Sequence, residues 1–144
     1  MRAFGLDVGT RTVGVALSDE LGITAQALTT LRRAGLRSDV AALRKLAETH
    51  QVTSAVIGLP LNMDGSEGPS AARSRGFGQA LAKALGIPVH YWDERLSTVA
   101  AHRALRESEL SGERRRQVVD QVAAALILQG WLDSRRPAEG EEFE

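Results

Sequence analysis

The order of strand-length apolar runs constrains this chain more than any other feature of its sequence. Phe4-Gly5-Leu6-Asp7-Val8 and Val13-Gly14-Val15-Ala16-Leu17 read as two strands joined around Gly9-Thr10-Arg11-Thr12, and a third covers Ala25 to Leu31. Only then does a helical pattern begin. Ser38-Asp39 supplies helix-start chemistry, and Val40, Leu43, Leu46 and Ala47 recur at helical spacing up to about His50. Val52 to Leu59 reads as a strand buried on both faces, followed by the turn-rich stretch from Asn62 to Pro69. Ser70 is placed to cap a helix running to Leu85, with Gly86 as its stop signal. Ile87 to Trp92 reads as the last strand, Ser97 as the cap of a helix from Thr98 to about Glu107, and Arg114 to Asp133 as a final helix. Three meandering strands followed by two crossovers predict an α/β fold. Its sheet is five-stranded and mixed, an antiparallel meander plus two parallel strands, with helices on both faces.

The 144 residues, 43% hydrophobic and 25% charged, suit one globular domain, expected over residues 1–136. Residues 137–144 form an acidic tail that is expected to be disordered. The absence of cysteine excludes disulfides, thiolate metal sites and cysteine nucleophiles. Asp7 interrupts the N-terminus before any signal-length apolar core, and no apolar run reaches about 18 residues, which predicts a cytoplasmic protein without a membrane segment. The net charge of zero conceals an asymmetry: all 18 basic residues lie at or before Arg136, while Glu139, Glu141, Glu142 and Glu144 follow it. Sixteen of the 18 are arginine, whose forked donors suit phosphate, although genome base composition produces the same bias.

Three acids stand out. Asp7 lies in an apolar strand among Gly5, Gly9 and Gly14, where an ionised carboxylate needs a partner or a metal; a strand-end aspartate bonded to turn amides is the alternative. Asp120 lies in Val118-Val119-Asp120-Gln121-Val122-Ala123-Ala124-Ala125-Leu126-Ile127-Leu128, so its helical stripe is apolar and turns it toward a core or cleft. Stabilisation by the helix dipole, or pairing with Arg114, Arg115 or Arg116, is the competing account. Asp93 and Glu94 face opposite sides of a continuing strand, so only one enters a shared site. Glu94 reaches further and stands at a strand's carboxyl end, where open α/β sheets place their chemistry; a surface salt bridge among Asp93, Arg95 and a neighbour is the plainer reading. Joined at one point, such acids offer hard oxygen ligands for Mg²⁺ or Mn²⁺, which activate water and stabilise charge on a phosphodiester.

Other side chains carry weaker signals. His50, His90 and His102 show no ligand spacing, Ser18 and Ser97 lack an evident base, and Trp92 and Trp131 read as core. Asn62 and Asp64 lie on the loop after the fourth strand, where a substrate backbone, a metal or an ordinary turn accounts for them equally. Arg11, Arg73, Arg75, Arg95 and Arg114 to Arg116 are candidates to bind nucleic-acid phosphates around the acids.

Four blocks together, Asp7-Val8-Gly9-Thr10-Arg11-Thr12-Val13-Gly14-Val15-Ala16, Gly58-Leu59-Pro60-Leu61-Asn62-Met63-Asp64-Gly65, Asp93-Glu94-Arg95-Leu96-Ser97-Thr98 and Val119-Asp120-Gln121-Val122-Ala123-Ala124, resemble the YqgF family, also called RuvX. Its members are named as nucleases of pre-16S ribosomal RNA and are related to Holliday junction resolvases. The resemblance spans nearly the whole chain and leaves only the tail outside. It implies a ribonuclease H-like fold and divalent-metal hydrolysis of phosphodiesters, in maturation of the 5′ end of small-subunit rRNA. Carried over, Asp7 bridges or ligates the metal, Glu94 completes its shell, and Asp120 holds the ion and orients water. One departure concerns ion count: related resolvases carry a close acidic pair near the final helix, whereas Ala123 stands three residues after Asp120 here. A second concerns reach. If the last strand lies two places from the first, the offset is about 10 Å, which keeps Asp64 as a rival ligand to Glu94. Three functions follow as expectations: an RNA nuclease acting on structured or single-stranded RNA, a DNA junction nuclease, or a non-catalytic nucleic-acid-binding factor. A junction substrate favours a two-fold dimer, so monomer and homodimer both stay open.

Overall fold

The computed structural model describes residues 2–99, 101 and 113–136, with side chains in the last stretch from residue 117 onward. Most of the helix expected over 98–107, His102 and the acidic tail lie outside the described residues. Five strands form one sheet: β1 (Arg2–Val8), β2 (Thr12–Ser18), β3 (Ala25–Arg32), β4 (Val52–Leu59) and β5 (Val89–Asp93). Their spatial order is β3-β2-β1-β4-β5. β1 pairs antiparallel with β2, and β2 with β3, whereas β4 runs parallel to both β1 and β5. The meander plus two parallel strands is thus the predicted mixed sheet. Among the described residues, no helix is long and apolar enough to cross a membrane.

Strand alternation assigns each face its core. Phe4, Leu6 and Val8 of β1 join Val13, Val15 and Ile57 against helices α1 (Leu36–His50) and α2 (Pro69–Leu85), which contribute Val40, Leu43, Phe77 and Leu81. The intervening positions Ala3, Gly5 and Asp7 turn the other way, toward helix α3 (Glu113–Ser134), where Ala3, Ala16 and Val56 meet Ala123, Ala124, Ile127 and Leu128. Both faces of β1 are therefore covered, which is why its sequence reads as a near-continuous apolar run.

Three boundaries differ from the sequence reading, each for a local reason. α1 begins at Leu36, before the expected Ser38, because the Asp39 carboxylate reaches back to accept the Ala34 N–H at 2.9 Å and orders the preceding turn. α2 begins at Pro69 with Gly68 before it; proline has no N–H to leave unsatisfied at a first helical position, so Ser70 sits inside the helix instead of capping it. β5 starts at Val89, later than Ile87, because Pro88 cannot donate to a ladder, although its carbonyl accepts from Ala55 N–H at 3.1 Å. The expected stop at Gly86 is present, with φ at 66°.

α3 lies unusually close to the sheet. A β-carbon on Gly5 would stand 2.6 Å from both the Ala124 carbonyl oxygen and Leu128 Cβ. Gly5→Ala is expected to destabilise the fold by about 1–3 kcal/mol, the scale of overpacking, seen as a lower urea midpoint at unchanged slope. Gly76→Ala, in α2 with nothing within 4 Å of the added carbon, is expected to stabilise by about 0.5–1 kcal/mol through helix propensity.

Candidate active site

The first acid is fixed by strand register. Asp7 on β1 stands directly opposite Gly14 on β2, and directly opposed residues of an antiparallel pair project from the same face. A β-carbon on Gly14 would lie 2.1 Å from the backbone oxygen of Asp120 and 3.2 Å from its Cβ. The same face of the sheet, at the same level, therefore carries both Asp7 and the helical turn bearing Asp120. Each is only 3% exposed. Thr12, the first residue of β2, donates its hydroxyl to Asp120 Oδ2 at 2.5 Å and ties helix to sheet at this point.

Glu94 arrives from the far side. It opens a single 3-10 turn, Glu94–Leu96, immediately after β5, and is also 3% exposed. Its carboxylate lies over β4: a β-carbon on Gly58 would be 2.7 Å from Glu94 Oε2 and 2.4 Å from Ile127 Cδ1. Gly58 follows Ile57, which pairs with Leu6, so it flanks Asp7 on the side opposite Gly14. The absence of a side chain at Gly58 leaves room for the Glu94 carboxylate over the strand that separates β5 from β1. Among the described residues, no group of three or more His, Asp and Glu side chains is arranged to hold a metal ion. The three acids share one face and one end of the sheet without forming a closed cage.

The other candidates are placed differently. Asp93 accepts the Arg95 N–H at 3.0 Å and its guanidinium Nη2 at 2.7 Å, so the plainer salt-bridge reading holds for Asp93 and Arg95 while Glu94 turns inward. Arg95 holds the Asp93 carboxyl below its usual range. Asp64 is exposed, its carboxylate accepting from Ser66 Oγ at 2.5 Å and Ser66 N–H at 2.9 Å, and these bonds lower its pKa. Asn62 is bonded to Ser66 Oγ at 2.9 Å within the same turn. That loop leans on the site's rim, since Arg95 also donates to the Met63 carbonyl at 3.2 Å. Arg75 pairs with Glu67 at 2.6 Å and covers the Tyr91 ring. Arg73 is half-buried on α2, and Arg11 is exposed at the tip of the β1–β2 turn. The side chains of Arg114, Arg115 and Arg116 lie outside the described residues. Trp92 and Trp131 pack against the α3-side core, with Trp131 also stacked on His90 at 4.9 Å.

Two contributors escaped the sequence reading. Thr12 was visible only as turn punctuation, and its bond to Asp120 spans 108 positions. Gly58 read as the end of an apolar run; its smallness beside Glu94 has no local signature.

Residues 1–134 match the RuvX family, described as a Holliday junction resolvase. The chain belongs to the RuvX family. A Myxococcus xanthus protein named "Putative pre-16S rRNA nuclease" is 62% identical over 95% of this chain and 91% of its own length. A Moorella thermoacetica protein of the same name is 59% identical over 92% and 95%. Among solved structures, Thermus thermophilus RuvC in complex with a Holliday junction substrate superposes with a TM-score of 0.57 at 12% identity, covering 94% of this chain and 96% of that one. The fowlpox virus Holliday junction resolvase gives 0.52 at 13% identity, over 93% and 99%. These likenesses fix the fold of this RuvX member as the ribonuclease H-like one that the sequence blocks implied.

Two measurements probe this arrangement. Thr12→Val removes one donor from a buried carboxylate at nearly constant shape; a loss of about 1.5–3 kcal/mol is expected by chemical denaturation, with Thr12→Ser retaining most of it. Asp93 has a folded pKa below its ordinary value of 3.8. Its pairing therefore stabilises fully above that value and fades as pH falls through the lower folded pKa. In a carboxyl-carbon NMR titration, Arg95→Gln should move the Asp93 midpoint up toward 3.8, and the stability that the pair adds at neutral pH should be lost with it.

Proposed function

We propose that this chain is a metal-dependent nuclease that hydrolyses phosphodiesters of a pre-16S rRNA, as the names of its relatives indicate. The single observation that carries the reading is the placement of Asp7, Glu94 and Asp120, all buried, at one end of one sheet face. Three carboxylates from β1, the turn after β5 and α3 have no packing purpose in common. Their donor set is entirely hard oxygen, the kind that Mg²⁺ and Mn²⁺ take.

Asp7, Glu94 and Asp120 are the residues that would hold such an ion, which would have to draw together carboxylates that do not form a ready-made metal group in the structure. When bound, it supplies neutralisation of the phosphate and a lowered pKa for attacking water. The protein's own part is positional. Thr12 fixes one oxygen of Asp120 and restrains that carboxylate's rotation. Asp120 orients the attacking water, and the buried setting strengthens every charge interaction made there. Nucleic-acid phosphates approach across Arg11 at the β1–β2 turn and Arg73 on α2, with Arg114 to Arg116 as further contacts. Arg95 and Asn62 instead shape the rim. The reading places the protein in the cytoplasm, where such a precursor is processed.

A four-way DNA junction is the second reading, favoured by the family's description and by the resolvase fold. Labelled precursor rRNA and a four-way junction, each incubated with Mg²⁺ or Mn²⁺ and with EDTA, separate the two. Cutting of the rRNA that EDTA abolishes is expected. Asp7→Asn and Asp120→Asn should each lose about a hundredfold or more in rate, the scale of removing one principal charge-stabilising group, while still binding. Paired symmetric nicks in the junction would move the assignment to DNA. Equal activity in wild type and both variants would identify a contaminant and leave a binding factor.

A further inference from the structure

The turn between Asp7 and Thr12 joins two strands of the proposed site, and it is held partly by its own backbone and partly from outside. Gly9 N–H bonds to the Thr12 carbonyl at 2.9 Å across it. The other restraint comes from Arg33, just after β3. Its Nη1 donates to the Gly9 carbonyl at 2.7 Å, and its Nε donates to Asp39 Oδ2 at 2.7 Å. The backbone N–H of Arg33 also bonds to the Arg11 carbonyl at 2.8 Å. The guanidinium lies over the Phe77 ring of α2, 5.4 Å from its centre.

Asp39 is 3% exposed, and its second oxygen accepts the Ala34 N–H at 2.9 Å. A buried carboxylate with both oxygens engaged is a fixed point, so it sets where the guanidinium fork lies. The fork in turn sets Gly9. A lysine ammonium is a point charge and lacks the planar fork that spans two acceptors at once.

We infer that Arg33 is a positioning residue: buried Asp39 aims it, and it holds the Gly9 turn so that Asp7 and Thr12-bound Asp120 keep their mutual placement. The inference rests on the nuclease reading above for its effect on rate, and on the hydrogen bonds alone for its effect on the turn. Arg33 acts from the α1/α2 face of the sheet on a site that opens on the α3 face. Its side-chain bonds go to Gly9 and Asp39, neither of them an acid of the site.

Two variants test it. Arg33→Met removes both side-chain bonds and leaves Asp39 buried without its cation, a change that can cost global stability. Arg33→Lys keeps the charge beside Asp39 but cannot also reach Gly9. Val40→Ala, on the buried face of the same helix as Asp39, serves as a stability control. Amide exchange at Gly9, followed by NMR, reports the turn directly. Exchange about tenfold faster is expected in Arg33→Lys, matching loss of one charged hydrogen bond. On precursor rRNA, kcat should fall about tenfold at unchanged KM, because geometry and not binding is loosened. Val40→Ala should change neither.

Unchanged Gly9 exchange in both arginine variants overturns the inference. So does an equal loss of kcat in Val40→Ala, since the effect would then be global stability. If wild type itself cuts nothing, the nuclease reading fails separately, and Gly9 exchange still decides whether Arg33 holds the turn.

Discussion

The close approach of α3 to the sheet is the constraint on which the rest of the structure depends. Gly5, Gly14 and Gly58 sit on three adjacent strands and face the same helix, and at each a β-carbon would collide with α3 or with Glu94. The helix answers with small residues of its own, Ala123 and Ala124. Small against small brings main chain near main chain, so Asp120 lies beside the strands and not on a pedestal above them. Its carboxylate then comes within hydrogen-bond reach of Thr12, which a helix at ordinary separation would miss.

Parallel pairing supplies the second half of the geometry. β1, β4 and β5 all end at one edge, where β2 begins, so residues 7, 58, 94 and 12 gather although the chain separates them widely. β4 intervenes between the acids of β1 and of the turn after β5. A side chain at residue 58 would fill that gap. Glycine there leaves that space to the Glu94 carboxylate, which lies over the intervening strand.

Much of this was legible in the sequence because it is local. Alternation in Phe4 to Val8 and Val13 to Leu17, the unbroken run from Val52 to Leu59, and the helical spacing of Val40, Leu43 and Ala47 all reflect burial that each segment undergoes by itself. An aspartate inside an apolar strand was conspicuous for the same reason. Partnerships were not legible, since nothing in Asn62-Met63-Asp64 says that its carboxylate will turn to Ser66. Nothing near Arg75 or Arg95 says that each will be held by an acid of its own chain. Helix starts were misplaced where the deciding contact was a side chain reaching backward, as with Asp39, or a proline occupying the first turn. Ser38-Asp39 did announce a helix, but the aspartate's stronger use, holding Arg33, depends on where β3 delivers that arginine.

The two faces of the sheet divide the work, and the division explains how the acids are tolerated. The α1/α2 face carries the bulk: Phe4, Leu6, Leu43, Ile57, Phe77 and Leu81 bury large apolar surfaces there. Each such side chain contributes on the order of 1.5–3 kcal/mol. The α3 face holds mainly alanines and valines with a few larger residues, and spends its remaining positions on Asp7, Asp120 and the glycines beside them. A face of small residues yields less hydrophobic stabilisation, and burying carboxylates subtracts from it. Such a face is sustainable only when another supplies the surplus. Covering β1 on both sides makes that transfer possible, because one strand belongs to both cores: what Phe4, Leu6 and Val8 gain on one side fixes the backbone that presents Asp7 on the other.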